Sequence, residues 1–241
     1  MGRLKTAVYL IAKAPRAGAA KTRLCPPLHA EQAARLAEAF LLDAATVIER
    51  AGCQVRVMCR NQAERRALER TLGSIAIVSV QTGRGLGAAL ESAFRQGLAA
   101  GFDAVGVLGA DSPTVPPAVV REAFAALGHG ADVALGPSDD GGYYFLAARA
   151  LHLSLFQDVP WSTEVVGALT LTRCREAGLS THLLPTWYDI DNASSLARLV
   201  DDLHHGASWL APCTRAALSL DPPRLSVPRL PDQRAPWGAI A

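Results

Sequence analysis

Short apolar runs alternate with long amphipathic stretches along almost the whole chain, and that rhythm leaves few folds open. Apolar or period-two segments predict strands over residues 6–12, 54–59, 75–80, 104–108, 131–135, 143–147 and 182–184. Helical spacing predicts helices over 29–51, 61–72, 86–100, 116–127, 164–177 and 192–204. In the first of these, Ala33, Leu36, Ala37, Phe40, Leu41 and Ala44 recur on one face. Strands this uniformly apolar must be covered on both faces. With β and α elements alternating, the way to do so is a mainly parallel sheet between two helical layers. The expected fold class is α/β, with the tyrosine-bearing segment as a small antiparallel insertion.

Half of the 241 residues are hydrophobic and 19% are charged, enough for a packed core and incompatible with global disorder. One domain is expected over residues 1–220. Beyond it Pro222, Pro223, Pro228, Pro231 and Pro236 exclude helix or central strand and mark 221–241 as a tail. A net charge of +2, from 24 basic and 22 acidic residues, gives no case for a nucleic-acid or membrane partner. Five dispersed cysteines without a C-x-x-C pair read as reduced thiols rather than a disulfide framework or zinc site. The basic-then-apolar start has too short an apolar stretch for a signal peptide and no A-x-A cleavage site after it. A cytoplasmic location is expected, and a homodimer is compatible with the sequence.

In parallel sheets, ligands bind beyond the carboxyl ends of the strands, where loops meet helix N-termini. Three such loops carry unusual charge. Residues 12–28 hold Lys13, Arg16, Lys21 and Arg23 with Gly18, and no acidic residue precedes Glu31. This loop reads either as a solvated basic loop or as an anion grip, with phosphate the natural anion. It is neither a P-loop nor a dinucleotide fingerprint. In residues 105–117 an apolar strand runs into Gly109 and Asp111. That carboxylate suits a hard cation such as Mg²⁺ shared with phosphate oxygens, unless Asp111 or Ser112 merely caps the next helix. In residues 183–196, Asp189 and Asp191 are expected to close a strand on the same side, where a cation between them would relieve their repulsion. Asp191 or Asn192 is the alternative cap of the following helix. The SDDGGYYF run, 138–145, reads as a hairpin turn or as the seat of a base or acceptor-binding group at Asp139 or Asp140. GRGLGAAL, 83–90, is by itself only a flexible loop before a helix.

Taken in order, IAKAPRAGAAKTRL (11–24), QTGRGLG (81–87), GADSP (109–113), GPSDDGGYY (136–144), PWST (160–163) and YDIDNASSL (188–196) closely resemble the bacterial DUF2064 family. That family belongs to the GT-A, or nucleotide-diphospho-sugar transferase, superfamily. The resemblance spans about residues 6–220 and includes a closing helix at 211–218. It implies a GT-A-like, Rossmann-type three-layer sandwich. By position it also implies nucleotide phosphates held by Lys13, Arg16, Lys21 and Arg23, with Gly85 and Gly87 close to the nucleoside. Mg²⁺ or Mn²⁺ would be held by Asp111, Asp189 and Asp191. Tyr143, Trp161, Ser162 and Thr163 would line the acceptor side, and Asp111, Lys21, Asp139 and Asp140 would carry the chemistry.

The implied activity is glycosyl transfer from a nucleotide sugar to a small acceptor. Many GT-A glycosyltransferases carry D-x-D at the middle strand, whereas Ala110-Asp111-Ser112 has one carboxylate. That single aspartate is closer to the nucleotidyltransferases of the superfamily, so coupling of an NTP to a phosphorylated small molecule is the alternative. A non-catalytic nucleotide-binding protein is the third reading.

Overall fold

A computed structural model describes residues 4–207 and 210–220; the proline-rich segment 221–241 lies outside the described residues. Among these, seven strands form one sheet in the order β3-β2-β1-β4-β6-β5-β7. The strands are β1 (Thr6–Ile11), β2 (Gln54–Cys59), β3 (Ile77–Val80), β4 (Ala104–Leu108), β5 (Val133–Pro137), β6 (Tyr143–Ala148) and β7 (Thr181–Leu183). The helices are α1 (Ala30–Arg50), α2 (Gln62–Leu72), α3 (Gly85–Ala99), α4 (Pro117–Gly128), α5 (Val166–Glu176), α6 (Ala193–His205) and α7 (Pro212–Leu220). Each predicted element is present, with ends shifted by one or two residues; α7 falls where the resemblance placed a closing helix.

The period-two code of β1 shows how the layers form. Val8 and Leu10 face one helical layer, which includes Phe40 of α1, Val120 of α4 and Leu199 of α6. Ala7 and Tyr9 face the other, which includes Leu90 and Phe94 of α3 and Cys174 of α5. All four side chains are fully buried, so β1 reads as continuously apolar because it is covered on both sides.

The antiparallel segment is not peripheral. β6 lies between β4 and β5, antiparallel to both, inside the sheet. Its return direction brings the turn after β5 to the same edge as the carboxyl ends of β1 and β4. The chain order reverses between β1 and β4, which pair in parallel and lead away to opposite sides. A crevice opens at such a switch point.

The segment 184–191 departs from expectation. Asp189 and Asp191 do not close a strand: β7 ends at Leu183 and only an isolated bridge, Ser138 to Trp187, follows. Pro185 lacks an N–H, which breaks the ladder, and the remaining backbone donors here reach first the end of β5 and then the loop after β4. Trp187 N–H donates to Pro137 O (3.0 Å) and Ile190 N–H to Asp111 O (2.9 Å). The second of these bonds ties the late acidic segment to the loop after β4.

Candidate functional site

Lys21 lies in the loop after β1, just before a short 3-10 turn, with φ 48° and ψ 42°. A β-carbon makes this left-handed conformation costly, by about 1–2 kcal/mol, so the surroundings must hold it. They do so through the side chain. Its Nζ lies 2.8 Å from Asp111 Oδ1, 2.8 Å from Asp191 Oδ1 and 2.7 Å from Ile190 O. The Lys21 side chain is 8% exposed, whereas Asp111 and Asp191 are 49% and 45% exposed. The basic loop, the loop after β4 and the late acidic segment thus converge on one ammonium at the switch point.

The capping alternatives are settled by geometry. Helix α4 begins at Pro117 with no side-chain cap, so neither Asp111 nor Ser112 serves one. Asn192 caps α6 by accepting from Ser195 N–H at 3.0 Å, which leaves Asp191 for Lys21. Asp189 turns elsewhere and accepts from the Ser112 hydroxyl, itself fully buried. Burial pushes the Asp189 carboxyl up to about 6; the Ser112 hydroxyl opposes the rise, and the charges of Asp111, Asp140 and Asp191 reinforce it. Geometry ties three of these carboxylates together, Asp111 and Asp191 through Lys21 and Asp189 through Ser112. Ser112 was legible in the sequence only as a possible helix cap.

The other predicted phosphate ligands line the same edge. Lys13, Arg16 and Arg23 are exposed. Arg16 O accepts from Ala19 and Ala20 N–H, each at 3.0 Å, which curls the loop. The charge of Lys13 favours the ionised form of Glu64, in the first turn of α2. Gly85 opens α3 with φ 86° and free space where a β-carbon would lie. Gly87 is enclosed instead: a β-carbon there would meet Phe156 O at 2.6 Å and Trp161 Nε1 at 2.8 Å. Its smallness lets α3 abut Trp161, a packing role that spacing alone does not reveal.

The segments predicted for an acceptor meet each other. The SDDGG run is the expected turn, with Ser138 N–H bonded to Gly142 O (3.1 Å) and Asp140 Oδ1 accepting from Gly142 N–H (2.9 Å). Gly167 N–H of α5 donates to Gly141 O (2.9 Å), docking this turn on the segment after PWST. Tyr143 and Trp161 pack edge to face with ring centroids 6.5 Å apart. The Tyr143 hydroxyl is buried without a hydrogen-bond partner, and burial pushes its pKa up. Ser162 is exposed with φ 67°, and the Thr163 hydroxyl donates to Pro160 O at 2.7 Å. The two turn aspartates differ. Asp139 pairs with Arg198 at 2.8 Å, whose guanidinium stacks 3.7 Å over Tyr188. Asp140 couples to the acidic group. Sequence reasoning missed Arg198, because a partner six residues inside α6 carries no local signature.

Among the described residues no three His, Cys, Asp or Glu side chains are arranged to hold a metal by themselves. The donors present nonetheless fit a hard divalent ion. Mg²⁺ is typically bound through one or two carboxylates with substrate phosphates completing its shell. Asp111 and Asp191 offer two half-exposed carboxylates beside a basic loop. No described helix is long and apolar enough to cross a membrane.

Comparison with solved structures agrees with the fold. A crystal structure described as a "putative nucleotide-diphospho-sugar transferase" from Desulfovibrio desulfuricans G20 superposes with a TM-score of 0.82 at 26% identity, covering 90% of this chain and 95% of that one. CMP:2-keto-3-deoxy-manno-octonic acid synthetase complexed with CTP gives 0.54 at 13% identity, covering 83% and 98%. Glucosyl-3-phosphoglycerate synthase from Mycobacterium tuberculosis, in complex with Mn²⁺, UDP and glucosyl-3-phosphoglycerate, gives 0.51 at 14% identity, covering 90% and 78%. The last two show likeness of fold. No curated protein matches the sequence. The family model "Uncharacterized protein conserved in bacteria (DUF2064)" matches residues 42–163, about half of the chain, and the protein belongs to that family.

Proposed function

We propose that this protein is a metal-dependent transferase that takes a glycosyl group from a nucleotide sugar and delivers it to a small acceptor. The observation that carries this reading is the meeting of Lys21, Asp111 and Asp191 at the switch point of the sheet. A nucleotide diphosphate leaving group needs two things there, cations for its oxygens and carboxylates for its counter-ion. Arg16, Arg23 and Lys21 supply the first, and Asp111 and Asp191 would hold Mg²⁺ or Mn²⁺, with Asp189 adding negative field. When bound, the ion would neutralise charge building on the departing diphosphate.

The remaining work falls to positioning and to one proton. Tyr143 and Trp161 form an aromatic wall beside the SDDGG turn, suited to the apolar face of an acceptor. For an inverting transfer a carboxylate must take the acceptor hydroxyl proton. Asp140 is the choice of the two turn aspartates, because Asp139 is paired with a cation, Arg198, whereas among the described residues Asp140 accepts only a backbone N–H. The likeness to a nucleotide-diphospho-sugar transferase supports a nucleotide substrate.

One observation favours a second reading, nucleotidyl transfer: the middle strand ends in one carboxylate, and the second comes from the far segment at Asp191. A phosphorylated substrate attacking an α-phosphate arrives ionised and needs no base. Purified protein assayed with nucleotide sugars, and separately with NTPs plus sugar phosphates, separates the two. Glycosyl transfer releases nucleoside diphosphate from nucleotide sugars and no pyrophosphate from NTPs; pyrophosphate release only in the second assay would instead establish nucleotidyl transfer. In the productive assay Asp111→Asn is expected to lower kcat by at least about 100-fold, the scale of losing a main stabiliser of transition-state charge. Full metal-dependent turnover by that variant would remove Asp111 from the metal site.

A further inference from the structure

The Lys21 ammonium has three N–H donors and no acceptor. All three have partners: Asp111 Oδ1, Asp191 Oδ1 and Ile190 O, at 2.8, 2.8 and 2.7 Å. In this arrangement it has no donor left for a phosphate. It also stands against both carboxylates that a divalent ion would need, and two cations held by one carboxylate pair repel each other. The exposure pattern leaves a way in. Lys21 is nearly covered on the protein side, whereas Asp111 and Asp191 are each about half exposed.

We propose that Lys21 is an exchangeable counter-cation. It neutralises Asp111 and Asp191 in the free protein, and it competes with a divalent ion for them. Phosphate oxygens arriving with the substrate relieve the competition by giving the ammonium a new anionic partner. Metal and phosphate then bind cooperatively, each raising the affinity for the other by the same factor. This inference rests on the metal reading above. It adds that the metal site is masked by the chain's own lysine until phosphate is present.

The test is Mn²⁺ binding by the full-length protein without nucleotide, followed through the electron paramagnetic resonance signal of free Mn²⁺. Wild type, Lys21→Met, Lys21→Arg and the double variant Lys21→Met with Asp111→Asn are compared. Lys21→Met is expected to bind Mn²⁺ about tenfold or more tightly than wild type, as removal of a unit charge a few ångströms away implies. Lys21→Arg should stay weak, and the double variant should lose the gain. Equal, tight binding by wild type and Lys21→Met overturns the competition and leaves the metal reading standing. Absence of binding in both overturns the competition, because removing the ammonium then uncovers no site; if it persists with nucleoside diphosphate added, the metal reading falls as well. A gain that survives in the double variant places the ion elsewhere and overturns the proposal. Should Lys21→Met fold poorly because its carboxylates repel, Mn²⁺ is expected to restore its melting transition, and failure to do so counts against the exchange.

Discussion

At the scale of single residues, small side chains and unusual backbone conformations shape the site as much as charge does. Gly141 has φ 87°, and a β-carbon there would lie 2.1 Å from Glu164 O. Gly141→Ala therefore meets two penalties at once, a left-handed backbone and a backbone clash. It is expected to cost about 2–4 kcal/mol, combining the conformational and overpacking penalties. Urea denaturation would measure the loss; a change below about 0.5 kcal/mol, typical of neutral surface sites, would mean that the turn does not dock on α5 as described. The charged groups that meet at Lys21 were legible in the sequence, since an acid-free basic loop and two separated acidic elements stand out; Arg198 was not. The enclosure of Gly87 and the bond from Ser112 to Asp189 were not. Both depend on what arrives from distant parts of the chain, Trp161 in one case and the 188–191 segment in the other.

At the scale of elements, two junctions have measurable consequences. Asp43 of α1 is buried, and its carboxylate accepts from Cys213 N–H (2.9 Å) and Thr214 N–H (2.7 Å) at the start of α7. It satisfies two donors that the first turn of any helix leaves unpaired, and the positive end of the helix favours its charge. The same carboxylate bears on Cys213: burial first, and then Asp43, push that thiol up to about 11. Asp43→Ala is expected to lower stability by about 1–3 kcal/mol, the cost of leaving buried donors unpaired. Hydrogen exchange should show α7 losing protection first; uniform loss would contradict the anchoring role.

The second junction is Glu64 in the first turn of α2. Burial raises its pKa, but bonds from the Arg60 side chain and backbone, and the charge of Lys13, outweigh this and leave it below the ordinary value. A carboxylate depressed in the folded state binds protons more readily when unfolded. Its stabilisation is thus complete above the unfolded pKa of about 4.3 and lost as pH falls through the lower folded value. Glu64→Gln should show a flatter decline in urea midpoint below about pH 4.3 than wild type. Parallel declines would mean that Arg60 contributes nothing to this carboxylate.

At the scale of the whole molecule, the helical layers and the mainly parallel sheet follow from apolar periodicity, because burial on both faces leaves a signature in every strand. The position of β6 does not follow from it. A segment of alternating or continuous apolar residues pairs equally well at an edge or in the middle, and the pairing partner is chosen by tertiary packing. Period two in the sequence puts Asp189 and Asp191 at the close of a strand; Pro185 and the bond from Ile190 N–H to Asp111 O send the segment instead to the switch point. That diversion brings Asp191 beside Asp111. The fold therefore assembles the acidic half of the candidate site from Asp111 and Asp191, 80 residues apart, while the basic half comes as one loop.

If this junction receives a nucleotide diphosphate with its divalent ion, both should be visible there together. The direct measurement is the anomalous difference density of a crystal soaked with Mn²⁺ and a mixture of nucleotide sugars. A manganese peak held by Asp111 and Asp191 is expected, with phosphate oxygens in contact with Lys21 and Arg23. A nucleotide bound away from this edge, with the Lys21 bridge to both aspartates intact, would contradict it.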